Sequence, residues 1–361
     1  MESGIHMLFQ NPGNMTDMEV YSAELRLAKL AEPFGFDSLW CVEHHFTDYT
    51  MCPDVTQFLS YMAGITSKIK LGTGAVILPW HDPLRVAEEI ALLDYYSEGR
   101  TLFGMGRGLA RIEYEGFRLD MSDSRVYFDE SAEMIMSALE TGVAEYDGEL
   151  IKQPRIEIRP RPPHSFKDRV YSVAMSPDSI DTGARMGTTI MLFMQKPLDV
   201  MAAEVNRYRD LFKQHHKGVM PPPVQCIDFM VCDESADRAE EMARKHMAAY
   251  FLTAANHYEM AGDHFDGTSG YNSYADASKM LNDLGLDKVA DAFVDYQIWG
   301  TPTQIFEKAE ARKKILGDFQ ISCSFSFAGL PYDYAEQGMK LYGEKCIPEF
   351  HSWSRAEASA A

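Results

Sequence analysis

Positive charge is scarce in this chain. Its 361 residues carry 34 Lys and Arg against 54 Asp and Glu, a formal net charge of −20 at pH 7. Counterion release at a nucleic-acid backbone needs a basic footprint, so no nucleic-acid partner is expected. Docking on an anionic membrane is disfavoured by the same deficit. No run approaches the ~18 apolar residues of a membrane span. Met1–Asn11 lacks the basic segment and apolar stretch of a signal peptide. Six cysteines (41, 52, 226, 232, 323 and 346) include no C-x-x-C pair, which fits reduced thiols in a cytoplasmic protein. No H-E-x-x-H and no ligand-spaced cluster occurs, so no metal site is expected. Internal repeats are absent too.

What is present is ordinary globular composition, 46% hydrophobic and 24% charged, with a strict alternation of short β-rich runs and helical patterns. The runs His6–Phe9, Asp37–Val42, Ile69–Leu78, Thr101–Gly104, Val170–Ala174, Thr189–Phe193, Pro223–Val231 and Phe319–Phe327 read as strands. Between and after them, Met18–Phe34, Asp54–Thr66, Pro83–Tyr96, Ser124–Glu140, Pro177–Met186, Leu198–Lys213, Ser235–Thr253 and Tyr334–Ile347 read as helices. Eight βα units imply a parallel sheet with helices outside, closed as an α/β (β/α)8 TIM barrel in one domain over 1–361. An open doubly wound sheet is the rival topology. Two stretches break the alternation. The proline-rich 142–168 predicts an extended excursion. The Gly-, Asn- and Asp-rich 256–291, between the seventh and eighth strands, predicts a long mobile insertion at the C-terminal face. A flexible tail is expected over 352–361.

Barrel enzymes place their chemistry where strands end. After the second strand stands Glu43-His44-His45-Phe46. Adjacent side chains there point to different sides, so one histidine can face the mouth for proton transfer; a structurally satisfied pair is the other reading. Gly72 and Gly74 in the third strand suit either a flat ligand against the backbone or a packing bulge. Gly104-Met105-Gly106-Arg107-Gly108 is not a dinucleotide fingerprint, because position 109 is leucine. Arg107 can meet an anion there or simply be solvated. Ser176-Pro177-Asp178-Ser179 predicts a helix N-terminus, which is an anion site or an ordinary cap. Together these signals suit a planar cofactor bearing a phosphate, with a proton-transfer group beside it.

Six segments carry a resemblance over nearly the whole chain: EHHF (43–46), LGTGAVILPWHDPLRVAEE (71–89), LLDYYSEGR (92–100), GRGL (106–109), SVAMSPDS (172–179) and WGTP (299–302). The chain resembles the bacterial luciferase-like, flavin-dependent monooxygenases, near the luciferase α-subunit (alkanal monooxygenase) branch. The resemblance implies reduced FMN and O₂ as cofactor and co-substrate, reacting through a C4a-(hydro)peroxyflavin. It places the FMN phosphate on Arg107, Ser176, Ser179 and the backbone of Met175, and the isoalloxazine along Glu43, Ala75 and Leu109. His44 would be the acid–base group, with His45 as its support. A non-proline cis peptide is implied at 74–75 or 75–76, and a lid over 256–291.

Two positions depart from the luciferase pattern. Gly106 stands where those α-subunits carry a reactive cysteine, and Met175 where they carry an acid. A non-luminous enzyme is therefore expected, hydroxylating or inserting oxygen beside a carbonyl. Phe46, Trp80, Tyr114, Phe117, Tyr250 and Trp299 are the candidate pocket for an apolar organic substrate, an aldehyde, ketone or hydrocarbon-like compound. Lacking an NAD(P)H motif, the chain would depend on a separate NAD(P)H:flavin reductase. Phe58, Met62, Ile65, Val86, Ile90 and Leu93 are read as surplus apolar surface, predicting a homodimer. An F420-dependent oxidoreductase and a non-catalytic flavin-binding protein are the alternatives.

Overall fold

A computed structural model describes residues 1–11 and 13–360, with side chains through 353. The chain runs β1 (Ser3–Met7), α1 (Asp17–Ala31), β2 (Ser38–Cys41), α2 (Val55–Ala63), β3 (Lys70–Thr73), β4 (Val76–Ile77), α3 (Pro83–Tyr96), β5 (Thr101–Gly106), α4 (Arg111–Phe117), α5 (Ser124–Thr141), β6 (Val143–Asp147) and β7 (Lys152–Glu157). It continues through β8 (Val170–Val173), α6 (Pro177–Met186), β9 (Thr189–Phe193), α7 (Leu198–His215), β10 (Val224–Phe229), α8 (Ala236–His257), α9 (Asn272–Leu284), α10 (Leu286–Tyr296), α11 (Pro302–Leu316), β11 (Phe319–Ser324), α12 (Tyr332–Lys345) and α13 (Ile347–Ala360).

The parallel order β3-β2-β1-β11-β10-β9-β8-β5-β4 is closed by a β3–β5 pairing. With β3 and β4 as two pieces of one broken strand, this is the eight-stranded TIM barrel, and the open sheet is excluded. Side-chain alternation divides the core into two layers. Leu39, Leu71, Phe103, Ile190, Leu192 and Ile321 belong to the large cluster packed on the helices. Trp40, Leu102, Tyr171, Met191 and Ile227 form a separate cluster filling the barrel. Gly72 belongs to that interior: a Cβ there would lie 2.2 Å from the Trp40 ring.

The structure refines four expectations. The third strand, read as 69–78, breaks at a cis Gly74–Ala75 peptide into β3 and β4. The 142–168 excursion contains an antiparallel ribbon, β6–β7. The 256–291 insertion is largely helical, because α8 runs on to His257 and α9 and α10 follow; its glycines 262, 267 and 270 lie in the turns between α8 and α9. Finally, Phe58, Met62, Val86, Ile90 and Leu93 are core residues, at most 9% exposed. Of the apolar residues assigned to an outer face, only Ile65 is exposed; its exposed apolar neighbours on α2 and α3 are Tyr61, Leu92, Tyr95 and Tyr96. All six cysteines are free and buried. Among the described residues no helix is long and apolar enough to cross a membrane.

Candidate active site

The segment leaving β2 brings three polar residues to the barrel mouth. Glu43 is buried; its carboxylate accepts from the Ile77 N–H at 3.0 Å, beside the broken third strand, and lies 2.7 Å from His81 Nε2 and 3.1 Å from His45 Nε2. His44 turns the other way. Its Nδ1 is 3.0 Å from Glu113 Oε1 and its Nε2 3.0 Å from the Tyr258 hydroxyl. The two histidines thus diverge, as alternation along an extended segment requires.

Glu113 lies on α4, a helix absent from the sequence reading. It also accepts from the His45 N–H at 2.8 Å, and His257 Nε2 lies 3.5 Å away. Burial pushes its pKa up, but His44 and His257 beside it outweigh that and hold the carboxyl down at about 2. His257 itself is lowered, chiefly by burial, with Glu113 opposing. His44, Glu113 and His257 are all buried, and their ligand atoms lie within 4.8 Å of one another. This grouping was not foreseen, since the three come from distant parts of the chain.

The second half of the site is an anion cradle. Arg107 is 8% exposed; its guanidinium stacks on Tyr271 at 4.0 Å from the ring centroid, and its Nη1 is buried without a hydrogen-bond partner among the described residues. A Cβ at Gly270 would stand 2.9 Å from that Nη1, and Gly270 has φ +77, so glycine serves there for both space and conformation. Ser176 caps α6, accepting from the Ser179 N–H at 3.3 Å, and the two hydroxyls lie 2.9 Å apart. Arg125, on the first turn of α5, donates to Ser179 Oγ at 3.0 Å. Burial, and then the charge of Arg107, lowers its pKa. The two like charges repel, and an anion between them would offset that repulsion. Arg125 was missed by the sequence reading, although a cation in the first turn of a helix opposes the helix dipole and could have marked it. Met175 is half-buried, and its carbonyl accepts from Lys196 Nζ at 3.3 Å. Asp178 is exposed.

Of the lining candidates, Ala75 is buried behind Gly106, while Leu109 packs under Phe265, Tyr271 and Ala275. Phe46, Trp80, Tyr114 and Phe117 do gather. His45 lies 4.7 Å from Phe117 and 5.5 Å from both Phe46 and Trp80, and Trp80 lies 5.9 Å from Tyr114. Tyr250 belongs to a neighbouring cluster, its hydroxyl 2.5 Å from that of Tyr49, whose ring in turn lies 5.0 Å from His44. Trp299 stands apart, under Lys308 Nζ at 3.6 Å and donating to the Val294 carbonyl.

The fold is a TIM barrel with a candidate active site at the strand ends, and the comparisons give its family. The model of the family described as "Luciferase-like monooxygenase" matches residues 1–318. The chain belongs to that family. It is similar to the alkanal monooxygenase alpha chain of Photorhabdus luminescens, 27% identical over 356 residues and covering 96% of each chain. In fold it is similar to the oxygenating constituent of 3,6-diketocamphane monooxygenase of Pseudomonas putida, a type II Baeyer-Villiger monooxygenase solved with FMN (TM-score 0.73, 17% identity, 96% of this chain and 98% of that one). It is also similar to the coenzyme F420-dependent tetrahydromethanopterin reductase of Methanopyrus kandleri (TM-score 0.70, 22% identity, 97% and 99%).

Proposed function

We propose that this chain is a reduced-FMN-dependent monooxygenase that oxygenates an apolar organic substrate, an aldehyde, ketone or hydrocarbon-like compound, fed by a separate NAD(P)H:flavin reductase. The observation that carries the reading is the Arg125 bond to Ser179 beside the Ser176 cap, together with the buried Nη1 of Arg107, unpartnered among the described residues. One buried and one half-buried cation, two hydroxyls and a helix N-terminus together match a phosphate monoester. Reduced flavin, when bound, supplies the electrons that activate O₂. The protein's own part is to hold and to shuttle. Arg107, Arg125, Ser176 and Ser179 hold the phosphate, helped by the backbone of Met175. Glu43, fixed by Ile77, His45 and His81, offers a carboxylate beside Ala75, where Leu109 completes the ring's lining. His44 takes up and returns a proton at Nε2, once the Tyr258 hydroxyl gives way. Phe46, Trp80 and Phe117, gathered around His45, seat apolar matter.

The likeness to an F420-dependent reductase supports a second reading, an F420-dependent oxidoreductase using the same cradle. Anaerobic titration with reduced FMN, reduced riboflavin and reduced F420 separates the two. The FMN reading expects reduced FMN to bind tightest, with riboflavin weakened by loss of its phosphate contacts. Tighter F420 binding overturns it. The exposed Tyr61, Ile65, Leu92, Tyr95 and Tyr96 on the α2–α3 face support a homodimer, to be checked by light scattering; a monomeric mass at micromolar protein contradicts it. A cytoplasmic location is part of the same proposal.

A further inference from the structure

The hydrogen bonds around His44 specify more than its position. A carboxylate held as far down as Glu113 can only accept. The His44 nitrogen 3.0 Å from it, Nδ1, must therefore carry the hydrogen. In the neutral ring that leaves the lone pair on Nε2, where the Tyr258 hydroxyl donates at 3.0 Å. Glu113 is held in turn from two sides. The His45 N–H fixes Oε1 at 2.8 Å, and His257 approaches at 3.5 Å with its own Nδ1 tied to Thr47 Oγ1 at 3.0 Å. Glu113 Oε2 and His257 Nε2 are both buried and lack a hydrogen-bond partner among the described residues, so the cluster has acceptor and donor capacity to spare. Among the described residues, the rings of Tyr49 at 5.0 Å, His257 at 4.9 Å and Tyr258 at 5.6 Å also stand against the His44 ring.

Two residues of this cluster, His257 and Tyr258, close α8 and open the turns that lead to Gly270 and Tyr271. Tyr271 is the ring on which the Arg107 guanidinium stacks. One segment thus touches both the proton-handling cluster and the anion cradle.

We infer that Glu113 is a positioning residue: through His44 it fixes the tautomer in which Nε2 is the basic nitrogen, with His257 standing beside its carboxylate. This deepens the proposed function and rests on it for the reaction, though not for the tautomer. No bond is made or broken beyond transfer of one proton to and from His44 Nε2. Glu113 stays ionised throughout.

The test uses the full-length chain with ¹⁵N-labelled histidine. In the parent, the His44 resonances, assigned by their loss in His44→Gln, should show Nδ1 protonated and Nε2 of the unprotonated type. Glu113→Gln, which keeps the volume but can donate through its amide, should shift His44 towards the Nε2–H form or a mixture. If reduced FMN supports oxygenation, the same variant should lower kcat about 10- to 100-fold, leaving KM and reduced-FMN affinity within about twofold, the pattern of a lost acid–base arrangement. Glu113→Asp keeps the charge and should restore part of kcat and the parent tautomer; it also serves as the readout should Glu113→Gln fail to fold. His257→Gln should weaken the same tautomer preference without removing it. An unchanged His44 tautomer in Glu113→Gln overturns the inference, as does a parent already in the Nε2–H form. Absence of any oxygenation with reduced FMN, alongside the expected tautomer shift, would instead overturn the functional reading alone.

Discussion

His6 and His44 are both buried, one on β1 inside the barrel and one beyond β2 at its mouth, and their surroundings set them opposite tasks. His6 stacks on Trp40 with centroids 5.8 Å apart, and its Nδ1 lies 2.6 Å from Ser322 Oγ. Its Nε2 has no hydrogen-bond partner among the described residues, and burial drives its pKa down to about 3. It stays neutral, packed as part of the barrel filling. His44 has an ionised carboxylate against one nitrogen and an exchangeable hydroxyl against the other. Among the described residues, buried His6 has no charged partner, whereas His44 stands beside a carboxylate at the open end. His6 and Ser322 pair inside the barrel, whereas the Glu43 and Glu113 clusters gather beyond the strand ends.

Four substitutions probe that division, in order of expected effect. His44→Ala should lower single-turnover oxygenation with pre-bound reduced FMN by about 10²–10⁴-fold, the usual contribution of a general acid–base group, while circular dichroism and flavin affinity stay near the parent. A parental rate would make His44 another His6. Arg107→Ala should weaken reduced FMN by about 1.5–3 kcal/mol, the scale of a charge-assisted hydrogen bond, and riboflavin much less. Equal losses for both flavins would remove the phosphate from the cradle.

The third concerns the interior. The pKa of His6 lies near 3 in the fold and at 6.5 when unfolded, so between those values the unfolded chain binds the extra proton. Stability from this group is fully present above pH 6.5 and falls as the pH drops towards 3. Urea unfolding should therefore lose roughly 2 kcal/mol to His6 between pH 6.5 and 5, and His6→Gln should flatten that loss. An identical pH slope in the variant would show that His6 is not held neutral. The smallest effect is expected for His45→Ala. It removes the contact with Glu43, which keeps Ile77 and His81, so about 1 kcal/mol of stability should go while turnover changes only a few-fold. A loss of turnover matching that of His44→Ala would erase the distinction between the neighbours.

How much of this was legible in the sequence follows from the range of the forces involved. The βα alternation is a local hydrophobic pattern and led directly to the barrel. Ser176 as a cap and Arg107 between glycines were legible because capping and strand-end placement are local too. Glu113 and His257 were not. Each owes its role to neighbours brought together only by closure of the barrel, as with Glu113, 69 residues along the chain from His44. The 256–291 stretch was misread for a related reason. Gly262, Gly267 and Gly270 announced a loop, whereas tertiary packing of Phe265, Tyr271 and Ala275 onto Leu109 surrounds those turns with helix. The outer apolar face was misassigned because helical periodicity marks a buried side without saying whether barrel or partner buries it.

The most direct test of the central claim is incorporation of isotopically heavy O₂. The chain, a flavin reductase, NAD(P)H and FMN are incubated under labelled oxygen with a panel of apolar aldehydes and ketones, and the products are analysed by mass spectrometry. The account predicts a product carrying one labelled oxygen atom, formed only with FMN present and strongly reduced in His44→Ala. Unlabelled products throughout, or turnover that runs on reduced F420 without consuming O₂, would contradict it.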